Sequence, residues 1–172
     1  MNILIIGFGV VGKYYLKYLI KNNKVNKIFI INDIKLPQNK IFTQIEFDIN
    51  EIKNKKIRHA IICTPSNLHY KYAKILSQNG INILIEKPFV LKINHAKELI
   101  SISDKNKKLK SWVAFQNRCN LAIQGVKQFI KQKKIGKIFL TDCSMIWSRS
   151  KKYYNVSWRG KYKSDGGVLA NQ

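Results

Sequence analysis

The chain has 172 residues, with 32 lysines and arginines against 9 aspartates and glutamates, and a formal charge of +23. Its hydrophobic share of 45% is that of a globular protein and excludes a disordered polyelectrolyte. Nucleic acid is not the expected partner: apart from Arg58, Arg118, Arg149 and Arg159 the basic residues are lysines spread over every segment, whereas phosphates and bases are read bidentately by arginine.

Cys63, Cys119 and Cys143 are odd in number and widely spaced. They form neither a disulfide framework nor a CxxC metal pair, so free thiols in a reducing cytoplasm and no metal site are expected. The apolar start MNILIIGFGVVG lacks a basic n-region and is broken by three glycines, which makes a poor signal peptide. No uninterrupted apolar run is long enough to span a bilayer.

Asn2 to Ile6 is a solid apolar run, the pattern of a strand buried on both faces. Gly7 to Gly12 follows, and helical spacing runs from Tyr14 to Ile20. Lys27 to Ile31 is a second buried strand, ending at Asn32-Asp33, and a weaker strand is expected near Ile41 to Ile45. Ala60 to Cys63 is the next core strand, entered from the basic run Lys53 to Arg58. Ser66 can cap a helix whose apolar positions Leu68, Tyr72, Ile75 and Leu76 share one face, with Asn79-Gly80 as its stop. A strand over Ile81 to Ile85, a helix over about Asn94 to Ser103, and Trp112 to Phe115 complete the alternation. Uniformly apolar strands between helices specify an α/β fold, a doubly wound parallel sheet of Rossmann type, over residues 1–116.

From residue 117 the pattern changes. Leu121 to Ile130 reads as a helix, with Gly136 near its end. Lys137 to Trp147 alternates Ile138, Leu140, Asp142, Ser144 and Ile146, which predicts a long strand with one exposed face. Ser148 to Asp165 is polar and aromatic, and Gly166-Gly167 opens a new apolar segment. Residues 117–172 therefore read as the incomplete start of an α+β domain, and the sequence as a fragment or the product of a truncated gene.

The turn Gly7-Phe8-Gly9-Val10-Val11-Gly12 is G-x-G-x-x-G placed between a strand and a helix. Gly7 permits the tight turn, Gly9 lets backbone approach a pyrophosphate, and Gly12 lets helix and strand pack closely. The helix N-terminus then offers free N–H groups to the phosphate. The overlapping pattern G-x-x-x-x-G-K fails as a triphosphate loop, because Tyr14 stands where magnesium needs Ser or Thr. Asp33, at the end of the second strand, suits the ribose hydroxyls of NAD and repels the extra phosphate of NADP, a preference that Lys35 could soften.

The stretch Cys63 to Phe89, CTPSNLHYKYAKILSQNGINILIEKPF, resembles the Gfo/Idh/MocA family of nicotinamide-dependent oxidoreductases. The family pattern is T-P-x-x-x-H, an amphipathic helix, a glycine, a strand and E-K-P. Thr64, Pro65, His69, Gly80, Glu86, Lys87 and Pro88 stand at those places. The resemblance implies that Lys87 lies beside the nicotinamide ring as catalytic acid/base or its relay partner. It further implies that Thr64, Pro65, His69, Glu86 and Lys87 serve the cofactor, with Thr64, Pro65 and His69 along the nicotinamide ribose; a plain surface histidine is the alternative for His69. Ser66 and Asn67 read as helix caps.

The later stretch Arg149 to Gln172 is similar to members that oxidise nucleotide-linked amino sugars or their uronic acids. By that likeness Arg149, Tyr153 and Arg159 bind an anionic substrate, for which guanidinium is suited, while Asp165 reads as a turn residue. Family members continue into a histidine-containing segment and an open sheet that commonly forms the oligomer contact. The 172 residues alone are thus expected to bind NAD weakly and turn over poorly, with homo-oligomers expected of a full-length form. The overall expectation is a cytoplasmic NAD-dependent oxidoreductase of a sugar or nucleotide sugar, without membrane or nucleic-acid partner. The alternative is a non-catalytic NAD-binding module.

Overall fold

A computed structural model describes residues 1–144 and 146–171, and in it the chain divides into two compact units. The first holds Met1–Ala114 together with the segment from Gly160 onward; the second is Phe115–Arg159.

The first unit is a six-stranded sheet with strand order β3-β2-β1-β4-β5-β6. The strands are β1 (Asn2–Ile6), β2 (Lys27–Ile31), β3 (Phe42–Gln44), β4 (Ile57–Ile62), β5 (Asn82–Ile85) and β6 (Ser111–Val113). Every neighbouring pair is parallel. Between them run α1 (Val10–Leu19), α2 (Ile49–Asn54), α3 (His69–Gln78) and α4 (Ile93–Lys105). The first unit is thus the Rossmann-type α/β fold expected from its apolar strands.

Alternate side chains of each strand enter different layers, as the pleat requires. Leu4, Ile6, Phe29, Ile31, Ala60, Ile62, Ile83 and Ile85 pack with Ile52 of α2, Ala73 and Leu76 of α3 and Leu99 of α4. Ile5, Ile28 and Ile30 face the other way, against Tyr15, Leu16 and Leu19 of α1. The central strands are therefore apolar along the stretches where both faces are covered, with polar residues at the entering ends: Asn2, Lys27, Arg58, His59 and Asn82.

Some boundaries differ from the sequence reading. α1 begins at Val10 rather than Tyr14, so Val10 and Val11 form its first turn. β4 begins at Ile57, and Ile57 is 2% exposed. α2 was not foreseen; Asp48 caps it by accepting the Asn50 N–H at 2.8 Å. Ser66 makes no cap: residues Ser66–Leu68 form a 3-10 turn after Pro65, and the Ser66 side chain is buried. Gly80, with φ +73, ends α3 as expected.

In the second unit α5 (Leu121–Lys131) is capped by Asn120, and α6 (Lys151–Tyr154) is a single turn. The predicted strand over Lys137 to Trp147 is not formed at the described residues 137–144 and 146–147. Phe139, Leu140 and Ile146 are exposed. Alternation marks a strand only where a neighbour supplies the ladder of hydrogen bonds, and no described residue does so here. From Gly160 the chain returns to the first unit, where α7 (Tyr162–Asp165) packs on the 66–68 turn and α8 (Val168–Asn171) follows. No helix among the described residues is long and apolar enough to cross a membrane.

Candidate cofactor site

A parallel sheet collects the ends of its strands on one edge, and that edge carries the candidate residues of the first unit. Hydrogen bonds continue past the strand ends and pin the turns that follow. Gly7 N–H donates to Ile31 O at 2.9 Å, Cys63 N–H to Ile6 O at 2.8 Å, and Glu86 N–H to Ile62 O at 3.0 Å.

The three glycines of the first turn do different work. Gly7 has φ +90, and a Cβ there would stand 2.8 Å from the Cys63 carbonyl. A Cβ on Gly12 would stand 2.3 Å from Gly7 O, so only a bare α-carbon lets α1 lie against the turn. At Gly9 nothing lies within 4 Å of the same position. The protein itself leaves that space open. Gly9 is the N-cap of α1 and supplies no side-chain cap, and the first turn carries no acidic residue. The leading N–H groups are therefore available to an anion, with the helix dipole favouring negative charge. Phe8 is held by donation of its N–H to Asn32 Oδ1 at 3.0 Å, and its ring lies 5.3 Å from that of Phe42. Val10 and Val11 are exposed, as is Asp33 beyond the end of β2.

One buried side chain fills the space between the Thr64-Pro65 turn after β4 and the turn after β5. His69 is 1% exposed, which rules out the surface histidine. Its Nε2 lies 2.9 Å from Thr64 O and its Nδ1 2.8 Å from Pro88 O. A neutral ring has one N–H and can donate to only one of them. Burial outweighs the pull of the carbonyls and holds the imidazole below its ordinary pKa of 6.5. The Thr64 hydroxyl is buried without a hydrogen-bond partner.

β5 ends at Ile85, and Glu86 follows with a partner that the sequence did not disclose. Tyr15, on α1, donates its hydroxyl to Glu86 Oε1 at 2.9 Å. The Lys87 N–H lies 3.3 Å from Glu86 Oε2, and the Lys87–Pro88 peptide is cis. Burial, and then the Glu86 charge, push the Tyr15 phenol far above its ordinary pKa. The same two causes, in the same order, push the Cys63 thiol up strongly. Tyr15, Asn32 and Cys63 are thus working parts of the edge that motif reading missed; Tyr15 and Glu86 are 71 residues apart.

Arg149, Tyr153 and Arg159 come together within the second unit. The guanidinium of Arg159 lies 4.2 Å from the Tyr153 ring centre and that of Arg149 5.4 Å from it. Arg149 also stands 4.9 Å from the Trp147 ring and Arg159 5.1 Å from that of Trp158. Arg159 donates to Tyr153 O at 3.4 Å, while its Nε is buried without a partner. Asp165 belongs to the first unit, where its carboxylate accepts the Gly160 N–H at 2.9 Å, so it holds a turn. No group of three or more His, Cys, Asp or Glu side chains able to hold a metal lies among the described residues.

The open space over Gly9, the uncapped start of α1 and the unpartnered Thr64 hydroxyl all fit a dinucleotide at the end of a parallel sheet. They define an NAD-binding Rossmann protein. The chain belongs to the Gfo/Idh/MocA family: residues 1–115 match the model described as an oxidoreductase family with an NAD-binding Rossmann fold. The cofactor expected from the glycine turn is the family's own.

Among curated proteins, the chain is 32% identical over 149 residues to the uncharacterized oxidoreductase YhhX of Escherichia coli, a match covering 80% of this chain and 42% of that protein. Among solved structures, the WlbA dehydrogenase from Chromobacterium violaceum, in complex with NADH and UDP-GlcNAcA, matches with a TM-score of 0.88 at 23% identity. That match covers 100% of this chain and 52% of WlbA. Scyllo-inositol dehydrogenase from Lactobacillus casei, with bound NAD(H) and scyllo-inositol, matches with a TM-score of 0.69 at 21% identity, over 79% of this chain and 42% of that one. At these identities the structural likeness is one of fold. The chain spans about half the length of WlbA, and less of YhhX.

Proposed function

We propose that the chain is the cofactor-binding part of an NAD-dependent oxidoreductase that exchanges hydride with a hydroxyl-bearing carbon of a sugar or nucleotide sugar. One observation carries the reading: Lys87 leaves β5 on the same sheet edge as the glycine turn, two strands away. Neighbouring strands are about 4.8 Å apart, so the two strand ends are separated by roughly 10 Å. A single dinucleotide site can therefore draw on both.

Gly7, Phe8, Gly9, Val10, Val11 and Gly12 would hold the pyrophosphate through the α1 N-terminus. Asp33 would accept the adenosine ribose hydroxyls and repel a 2′-phosphate, favouring NAD over NADP. Thr64, Pro65, Glu86 and Lys87 would line the nicotinamide side. His69, buried between the Thr64 and Pro88 carbonyls and donating to one of them, would serve by packing between those two loops. When bound, NAD supplies the hydride acceptor. Lys87 Nζ moves the proton of the substrate hydroxyl, and Glu86, steadied by Tyr15, sets the strand end from which Lys87 projects.

Arg149, Tyr153 and Arg159 would take an anionic group of the substrate, because guanidinium stacked on an aromatic face keeps its N–H edge for carboxylate or phosphate. The WlbA complex with UDP-GlcNAcA supports a nucleotide-linked uronate as the class. A cytoplasmic location and a homo-oligomer of a full-length form belong to the same proposal.

Titration of the chain with NADH, followed by fluorescence, tests the reading. Saturable binding is expected, with Gly9→Val weakening it tenfold or more at an unchanged melting temperature. Absence of saturable binding by the unaltered chain would overturn it. A normal dehydrogenase rate from these 172 residues alone would overturn the view that they are one part of the catalytic whole.

A further inference from the structure

Beyond β2 the chain runs along the edge as Asn32-Asp33-Ile34-Lys35-Leu36, and two carboxamides hold it there. The Asn32 side chain bridges forward and back: Oδ1 accepts the Phe8 N–H, and Nδ2 donates to Ile34 O at 3.0 Å. Gln44, the last residue of β3, pairs with Ile30 of β2. Its Nε2 donates to Ile34 O at 3.1 Å and to Asn32 O at 3.3 Å, and its Oε1 accepts the Leu36 N–H at 2.7 Å.

The backbone of residues 32, 34 and 36 is thus tied at every second position. Asp33 and Lys35, of opposite charge, stand between the ties with exposed side chains. Both border an open cavity of about 1010 Å³ between this loop and β3. β3 is an edge strand of only three residues, and Gln44 lies at its end, so these bonds serve the loop more than the sheet. Left untied, the loop could turn the Lys35 ammonium toward the place that the Asp33 carboxylate holds. A cation there attracts a 2′-phosphate, where an anion repels it.

We propose that Gln44 is a positioning residue for cofactor selection: by tying the backbone on either side of Asp33, it presents the carboxylate rather than Lys35 to the 2′ position of the adenosine ribose. The inference rests on the NAD reading above and adds to it a residue outside every motif.

The test is a double-mutant cycle read as the ratio of NADPH to NADH dissociation constants, measured on the full chain. The unaltered chain should prefer NADH, and Asp33→Ala should remove most of that preference. Gln44→Met, which keeps the volume and loses the amide, should narrow the ratio about fivefold or more in the unaltered background. In a background carrying both Asp33→Ala and Lys35→Ala, where neither charge is left to be positioned, it should leave the ratio unchanged. Gln44→Thr, a good strand former too short to reach the loop, should repeat the result if the Met variant does not fold.

An unchanged ratio, or the same change in both backgrounds, overturns the proposal and leaves NAD binding standing. So does failure of both Gln44 variants to fold, which would make the residue structural. NADH binding without preference over NADPH in the unaltered chain overturns the proposal and the role given to Asp33, and leaves dinucleotide binding standing. No NADH binding at all overturns the underlying reading with it.

Discussion

Gly9 and Gly12 share one turn, yet their replacement should act on different properties. The Gly12→Ala methyl would meet Gly7 backbone, which cannot yield as a side chain can, so a loss of about 3 kcal/mol or more is expected from urea unfolding. Gly9→Ala meets nothing and should stay within about 0.5 kcal/mol of the parent. Tyr15→Phe removes a hydroxyl bond to a half-exposed carboxylate and should cost about 1 kcal/mol. Cys63 gives a pH dependence with a definite sign. Folded, its thiol keeps its proton well above the ordinary value of 9.0; unfolded, it does not. The unfolded chain therefore binds fewer protons above about pH 9, and this contribution to stability is whole below that pH and is lost as pH rises. Tyr15 adds to the decline above its ordinary value of 10.0. Urea midpoints followed from about pH 8 to about pH 10 should fall less steeply for Cys63→Ala than for the parent.

At the scale of elements, Lys56 closes α2 with φ 54, a left-handed conformation costly for any residue with a Cβ. Lys56→Gly should raise stability by about 0.5 to 1 kcal/mol, seen as a higher melting temperature. The elements themselves were unequally legible. β1, β2, β5 and the Ala60–Ile62 half of β4 could be read because a run buried on both faces is apolar throughout, whereas the polar Arg58 and His59 hid where β4 begins. α2 was missed although its signal was present: Asp48 three residues before Glu51 is a helix start, hidden beside a basic run. The strand expected over 137–147 failed for the opposite reason, since alternation is local and a ladder needs a second strand. Of the candidate site, the glycine turn, Asp33 and the Glu86-Lys87 pair stand out as motifs in the sequence. Contacts such as Tyr15 with Glu86, or Gln44 with the loop after β2, join segments that only the folded sheet brings together, and no spacing rule announces them.

For the whole molecule, a formal charge of +23 acts over a surface on which Lys55–Glu51 and Lys74–Glu98 are the salt bridges among the described residues. Retention on a DNA column at low salt is expected from so many unpaired lysines. It should vanish by roughly 0.2 M salt, because nonspecific polyanion binding falls steeply as counterions are returned, while NADH affinity should fall far less. Strand direction has a separate consequence. All six strands point the same way, so ligand chemistry is confined to one rim. The far rim is made of the connections entering the strands, such as residues 22–26 ahead of β2, 79–81 ahead of β5 and 106–110 ahead of β6. A fluorophore or a grafted peptide at those connections would ride on the scaffold without obstructing it, which makes the chain a natural frame for a sensor of cellular redox state.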